Sequence, residues 1–139
     1  MSDQSSDTEY TPMTFGVWLS MWLYAIACAL PAIAFTDNSI PGIICLIAIP
    51  LVLIFPWWYA NPALFVGIVM LLRGREFAAA IWGTVAAVLA TSFLVIAFYD
   101  AKAWEETRIG SWVWLLSLWT FAASACWAAW TRTHRNHPG

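Results

Sequence analysis

The chain has 139 residues, of which 62% are hydrophobic and only 10% charged, with a formal net charge of −2. A soluble domain carries about 25% charged residues, so an ordinary soluble fold is excluded, and a chain this short makes a single domain. The charge balance supplies no field that would draw the protein to nucleic acid.

The six basic and eight acidic side chains leave four uncharged runs, 10–36, 38–72, 77–99 and 109–131, of 27, 35, 23 and 23 residues. A hydrocarbon core about 30 Å thick is crossed by roughly 20 helical residues rising about 1.5 Å each. All four runs meet that length. Barrel strands alternate apolar and polar residues over about ten positions, and these runs do not alternate. The expected fold is therefore all-α: a polytopic helical membrane protein with four transmembrane crossings. Its expected regions are an acidic tail over 1–13, a transmembrane bundle over 14–131 and a short basic tail over 132–139.

The first 13 residues are rich in Ser, Asp and Thr, and disorder is expected there. They lack the positive n-region of a secretory signal, so the first apolar run is expected to stay in the mature protein. That run reads as a span from Phe15 to Phe35, with Trp18, Trp22 and Tyr24 in its first half. Such rings settle at a membrane interface. Pro31 should kink its last turn or mark its exit. The segment 36–42, TDNSIPG, reads as a short polar turn.

The second run is too long for one straight crossing, since 35 helical residues measure about 52 Å. Pro50, Pro56 and Pro62 interrupt it, and Trp57, Trp58 and Tyr59 form an aromatic cluster. Asn61 suits an N-cap and Pro62 the first helical position, so a helix is expected from Pro62 to near Arg73. Three threadings stay open: a single crossing broken near Trp57–Asn61, a short crossing followed by a re-entrant or interfacial helix, or two short crossings. Span length favours four crossings in all, the second broken near Asn61.

Arg73-Gly74-Arg75-Glu76 reads as a tight turn. Arg73 and Arg75 suit an anchor that sets topology, with contact to anionic lipid headgroups as the alternative. On the next span, Phe77–Tyr99, the residues Ala79, Gly83, Ala87 and Thr91 recur every four positions. Small residues so spaced let helix backbones approach closely in lipid, so this is the expected packing face. Residues 100–110 form a loop carrying both charge signs. The last span, Ser111–Thr131, opens with Trp112 and Trp114 and closes with Trp127 and Trp130. Arg73, Arg75, Arg132 and Arg135 outweigh Lys102 and Arg108 across the four-span topology. The positive-inside rule then puts both termini in the cytoplasm.

Site chemistry is sparse. No Asp, Glu, Lys, Arg or His lies within a span, although such a group would mark an ion or proton pathway. Proton-coupled antiport and intramembrane haem ligation are thereby excluded. Cys28, Cys45 and Cys126 read as small buried hydrophobes. His134 and His137 lack a third ligand. Glu105 and Glu106, as sequence neighbours, do not face each other on a helix. Ser117 and Ser124 share a face of the last span and are expected to bond across helices. No phosphate-binding glycine loop, nucleophile elbow or zinc-helix motif occurs. No enzyme activity, cofactor or metal is expected. One candidate binding feature remains: Asn61 and Pro62 with Trp57, Trp58 and Tyr59. A broken helix there could form a midplane solute site or simply an interfacial helix start.

W-W-Y-A-N-P over 57–62, R-G-R over 73–75, A-T-S-F over 90–93 and G-S-W-V-W-L-L-S over 110–117 together resemble a loose group of small, functionally uncharacterised bacterial inner-membrane proteins. Its members share an aromatic-x-Ala-Asn-Pro break, an Arg-rich turn and a final Gly-x-x-x-Trp-Leu-x-Ser span. The resemblance implies this architecture and a bacterial inner-membrane location, and adds no activity. The functional expectation is a non-enzymatic accessory or assembly protein held in the bilayer beside a membrane-protein partner or its own copies. The alternative is an oligomeric, uncoupled channel or carrier for a neutral or apolar solute.

Overall fold

The computed structural model of the protein describes residues 12–35, 38–41, 56–100, 104–105 and 107–135. The expectations for the N-terminal tail before Pro12, and those for Cys45, Pro50, Lys102, Glu106 and His137, fall outside them. Four helices dominate: α1 (Pro12–Ala29), α2 (Ala60–Leu72), α3 (Glu76–Tyr99) and α4 (Ile109–Arg135). A 3-10 turn, Pro56–Tyr59, leads into α2. Among the described residues two helices, over Glu76–Tyr99 and Ile109–His134, are long and apolar enough to cross a membrane.

The extent expected of the first span needs one correction. The helix of the first apolar run stops at Ala29, and residues expected to continue it to Phe35 form strand β1 (Pro31–Phe35). This strand pairs antiparallel with β2 (Asn38–Pro41), with Phe35 opposite Asn38 and Pro31 opposite Pro41. Pro31 explains the change. Proline has no N–H to continue a helix and its ring collides with the carbonyl four residues back. It also drives the residue before it out of the helical region. Ile33 and Phe35 are residue types that suit a pleated strand, and both prolines sit at strand ends, where a lost N–H is tolerated. The hairpin rests on the first turn of α4. A Cβ on Gly110 would lie 2.7 Å from the Pro31 carbonyl oxygen, so only glycine permits this approach.

The turn between α2 and α3 closes with a Schellman geometry. Gly74 N–H donates to Leu71 O at 2.9 Å and Arg75 N–H to Met70 O at 2.9 Å. Gly74 has φ +68°, the left-handed conformation that this cap requires and that glycine adopts without penalty. At its other end α2 begins at Ala60, and Tyr59 in the N-cap position gives no side-chain cap bond. Asn61 is thus inside the first turn rather than its cap, because its side chain is engaged elsewhere, as described below.

Helix α4 is the spine of the molecule, packed between α1 and α3, while α2 lies on α3. Cross-helix pairs set the directions. Gly16 faces Ser124 and Ser20 meets Ser117, while Thr84 meets Cys126 and Thr91 meets Trp119, so α1 and α3 both run antiparallel to α4. Asn61 meets Trp114 and Gly67 faces Phe121, so α2 runs parallel to α4. The chain direction alternates from helix to helix. One end of the bundle carries the hairpin, the C-terminus of α3 and the N-terminus of α4. The opposite end carries the α2–α3 turn and the C-terminus of α4.

Among the described residues, Phe121, Leu64 and Leu118 are the largest apolar side chains enclosed in the core. Alanine fills most of the rest: on α3 every buried residue is Ala or Gly. Helix α4 continues to Arg135 rather than ending at Thr131. The Thr131 and Thr133 hydroxyls donate to Trp127 O at 3.0 Å and Ala129 O at 2.9 Å, and basic residues in a last helical turn suit the helix dipole.

Candidate functional site

Asn61 is the polar centre of the bundle. Its Oδ1 accepts a hydrogen bond from Trp114 Nε1–H at 2.9 Å and another from Tyr24 O–H at 3.1 Å. One amide carbonyl therefore ties the start of α2 to α1 and α4. Pro62 promotes this arrangement, because a proline early in a helix removes only an N–H that has no partner there. Tyr24 is further fixed by an edge-to-face contact with Phe65, at 6.1 Å between ring centres. Tyrosine and tryptophan both offer a large apolar body with one polar tip, so each can line an apolar helix face and still supply a donor.

The aromatic triplet expected to gather around Asn61 divides. Trp58 is buried and Tyr59 is exposed, as is Pro62; the backbone of Trp57 lies in the 3-10 turn. The rings that do reach the Asn61 carbonyl come from α1 and α4. Nothing local in the chain announces them, since they lie 37 and 53 residues from Asn61. The available signal was periodic: Gly16, Ser20 and Tyr24 recur every four residues on one face of α1.

That face is the α1–α4 seam. Ser20 Oγ–H donates to Ser117 O at 2.9 Å, with both residues buried. A Cβ on Gly16 would collide with the Ser124 hydroxyl. The cross-helix bond expected of Ser117 and Ser124 thus comes from Ser20 instead. Their own hydroxyls donate within α4, Ser117 to Trp114 O at 2.6 Å and Ser124 to Thr120 O at 2.7 Å. Serine in an apolar helix satisfies itself locally in this way.

On α3, Ala79 and Ala87 are fully enclosed, Gly83 is buried and Thr91 is half-buried. Gly83 faces the Phe121 ring and the α4 backbone: an added Cβ would lie 3.0 Å from the ring and 3.2 Å from Ala122 Cα. Thr91 donates to Ala87 O at 2.8 Å and accepts from Trp119 Nε1–H at 3.1 Å.

The two ends differ in character. At the hairpin end, Phe98, Trp104 and Trp112 stack edge to face, with ring centres 6.0 and 5.7 Å apart in turn. With Leu94, Val95 and Tyr99 they line an open apolar groove of about 370 Å³. At the opposite end, Arg132 pairs with Glu76 and donates to Gly74 O at 2.6 Å. Arg73 and Arg75 are exposed there. Among the described residues no three His, Cys, Asp or Glu side chains gather to hold a metal ion. Cys28 and Cys126 are free thiols.

The assembled polar groups are a clasp at Asn61, a seam at Ser20 and an ion pair at Glu76. Each joins helices, through bonds from Tyr24 and Trp114 to Asn61, from Ser20 to Ser117 and from Arg132 to Glu76. Comparison with protein families, with curated proteins and with solved structures returns no match.

Proposed function

We propose that the protein is a four-crossing integral membrane bundle that works by packing, as a non-enzymatic accessory or assembly protein beside a larger membrane partner. The observation that carries this reading is the inversion of side-chain size across α3. Its buried positions hold only Ala and Gly, while Phe77, Ile81, Trp82, Val88, Val95, Ile96 and Phe98 are exposed. A water-soluble core does the reverse, enclosing bulky residues and limiting its exposed apolar patches to a few hundred Å². In lipid the bulky residues face acyl chains and the small ones let helices close up. The apolar windows of α3 and α4 are only 28% and 39% buried, too open for core helices in water.

The alternating helix directions support this threading. Helices of 18, 24 and 27 residues measure about 27, 36 and 40 Å. The 13 residues of α2 cover about 20 Å, and the 3-10 turn adds about 8 Å. Four alternating crossings leave both termini on the side of the α2–α3 turn. Its arginines favour the cytoplasm for that side under the positive-inside rule, and a bacterial inner membrane is part of the same proposal. The carrier alternative places a solute at the broken helix around Asn61, and the engagement of the Asn61 carbonyl by Tyr24 and Trp114 counts against it.

The test is to tag the C-terminus, extract the full chain in mild detergent and weigh the intact complex by native mass spectrometry. A second membrane protein in fixed stoichiometry is the expected result. The chain alone, or in copies of itself only, would overturn the accessory reading and bring solute-flux assays in liposomes forward.

A further inference from the structure

We infer that the α2–α3 turn is a binding site for the phosphate of anionic lipid headgroups, with Arg73 and Arg75 as its ligands. The inference rests on the reading of the chain as a membrane bundle. Among the side chains described at this end, Arg73, Arg75 and Arg132 share one carboxylate, Glu76. Glu76 is already held by Arg132, whose guanidinium also donates to Gly74 O. The acid nearest to Arg73 and Arg75 in sequence is therefore occupied. Among the described residues neither Arg73 nor Arg75 takes part in an ion pair, and both are exposed. Each guanidinium keeps a planar fork of N–H donors, which matches a phosphate better than a point charge would.

The depth of the turn agrees with that ligand. Leu72 and Phe77, on either side of the four-residue turn, are 82% and 75% exposed. Side chains so apolar and so bare belong in acyl chains, which sets the arginines between them at the level of the headgroup phosphates. Trp127 and Trp130, exposed on the last turns of α4, occupy the same end, as interfacial rings do. The outer side of the turn is open, since a Cβ on Gly74 would meet nothing within 4 Å. Arg132 then has a distinct part: by holding Glu76 it keeps a carboxylate from competing with the phosphate.

The experiment uses the full chain in bilayers of phosphatidylcholine alone and of phosphatidylcholine mixed with phosphatidylglycerol. Lipids that survive mild detergent extraction are counted by native mass spectrometry. The wild type should retain phosphatidylglycerol in preference to phosphatidylcholine. An Arg73→Gln, Arg75→Gln double variant should lose that preference about 30-fold, at roughly fivefold per basic residue near an anionic surface. Arg132→Gln should weaken it as well, by freeing Glu76, whereas Arg108→Gln at the hairpin end should not. Equal retention of both lipids by a chain that stays inserted would overturn the site and leave the bundle reading standing. Release of the chain from membranes by alkaline carbonate would overturn the bundle reading itself. Displacement of the bound phosphatidylglycerol by inorganic phosphate at equal concentration would reassign the turn to free anions.

Discussion

Replacing Phe121 by alanine should destabilise the bundle more than any other single truncation, by about 2–3 kcal/mol. Phe121 is fully enclosed and fills the space where Gly67 of α2 and Gly83 of α3 both face α4. In a water-soluble core, Phe→Ala costs about 3–5 kcal/mol, combining the loss of transfer from water with the cavity left behind. On the proposed membrane reading the separated helices keep their apolar side chains in hydrocarbon, so the transfer part falls away. The cavity part remains, at about 24 cal/mol per Å³ over roughly 100 Å³. Reversible unfolding in mixed detergent micelles measures the difference. A loss below 1 kcal/mol would mean that the ring is not the keystone of three helices.

The two glycines sharpen this test because they meet the ring differently. A Cβ on Gly67 would lie 2.8 Å from the Phe121 ring and 3.5 Å from the Gly83 backbone nitrogen. Only the first contact is too close. Gly67→Ala should therefore destabilise the wild type, by about 1–3 kcal/mol as overpacking does, and become neutral or stabilising in the Phe121→Ala background. A Cβ on Gly83 would also press on Ala122 Cα at 3.2 Å, a backbone atom that the ring's removal leaves in place. Gly83→Ala should keep part of its cost in both backgrounds. Such non-additivity between contacting residues is what a double-mutant cycle isolates.

How far the chain could be read in advance depends on the range of each signal. Charge spacing bounded α3 to within a residue, because Glu76 and Asp100 interrupt apolar runs directly. The every-fourth-residue pattern from Ala79 to Thr91 is local, and three of its four residues lie buried against neighbouring helices. The hairpin was missed because 31–35, PAIAF, is apolar enough to extend a span by composition, while the backbone chemistry of Pro31 decides against it. The Asn61 clasp was missed for a different reason. Asn-Pro before an apolar stretch has a sound local reading as a helix cap, and a tertiary bond offering two donors to one carbonyl prevails over it. Its partners on α1 and α4 become neighbours only once the helices have packed. The basic turn was visible as charge, but the engagement of Glu76 by Arg132, which leaves Arg73 and Arg75 without an ion pair among the described residues, joins residues 56 apart.

Asn61→Leu should lower stability by about 1–3 kcal/mol, since it leaves the Tyr24 hydroxyl and the Trp114 indole N–H without their acceptor in a half-buried setting. Interhelical hydrogen bonds in lipid average only about 0.6 kcal/mol, with a maximum near 1.7, because separated helices find other partners. Two bonds lost together therefore set the scale, and orphaned donors rather than lost attraction make up most of it. That origin has a measurable signature. With Tyr24→Phe and Trp114→Phe already in place no donor is left to orphan, so adding Asn61→Leu should cost less than half as much as in the wild type. Thermal unfolding of the purified chain in one detergent, followed by circular dichroism, gives all the terms. An unchanged cost in the two backgrounds would show that Asn61 acts through contacts other than these two. A polar group retained for a passing solute would behave in yet another way: its loss would leave stability intact and alter flux. A clasp must fail in stability first, because the same carbonyl cannot both hold α1 and α4 against α2 and remain open to a ligand.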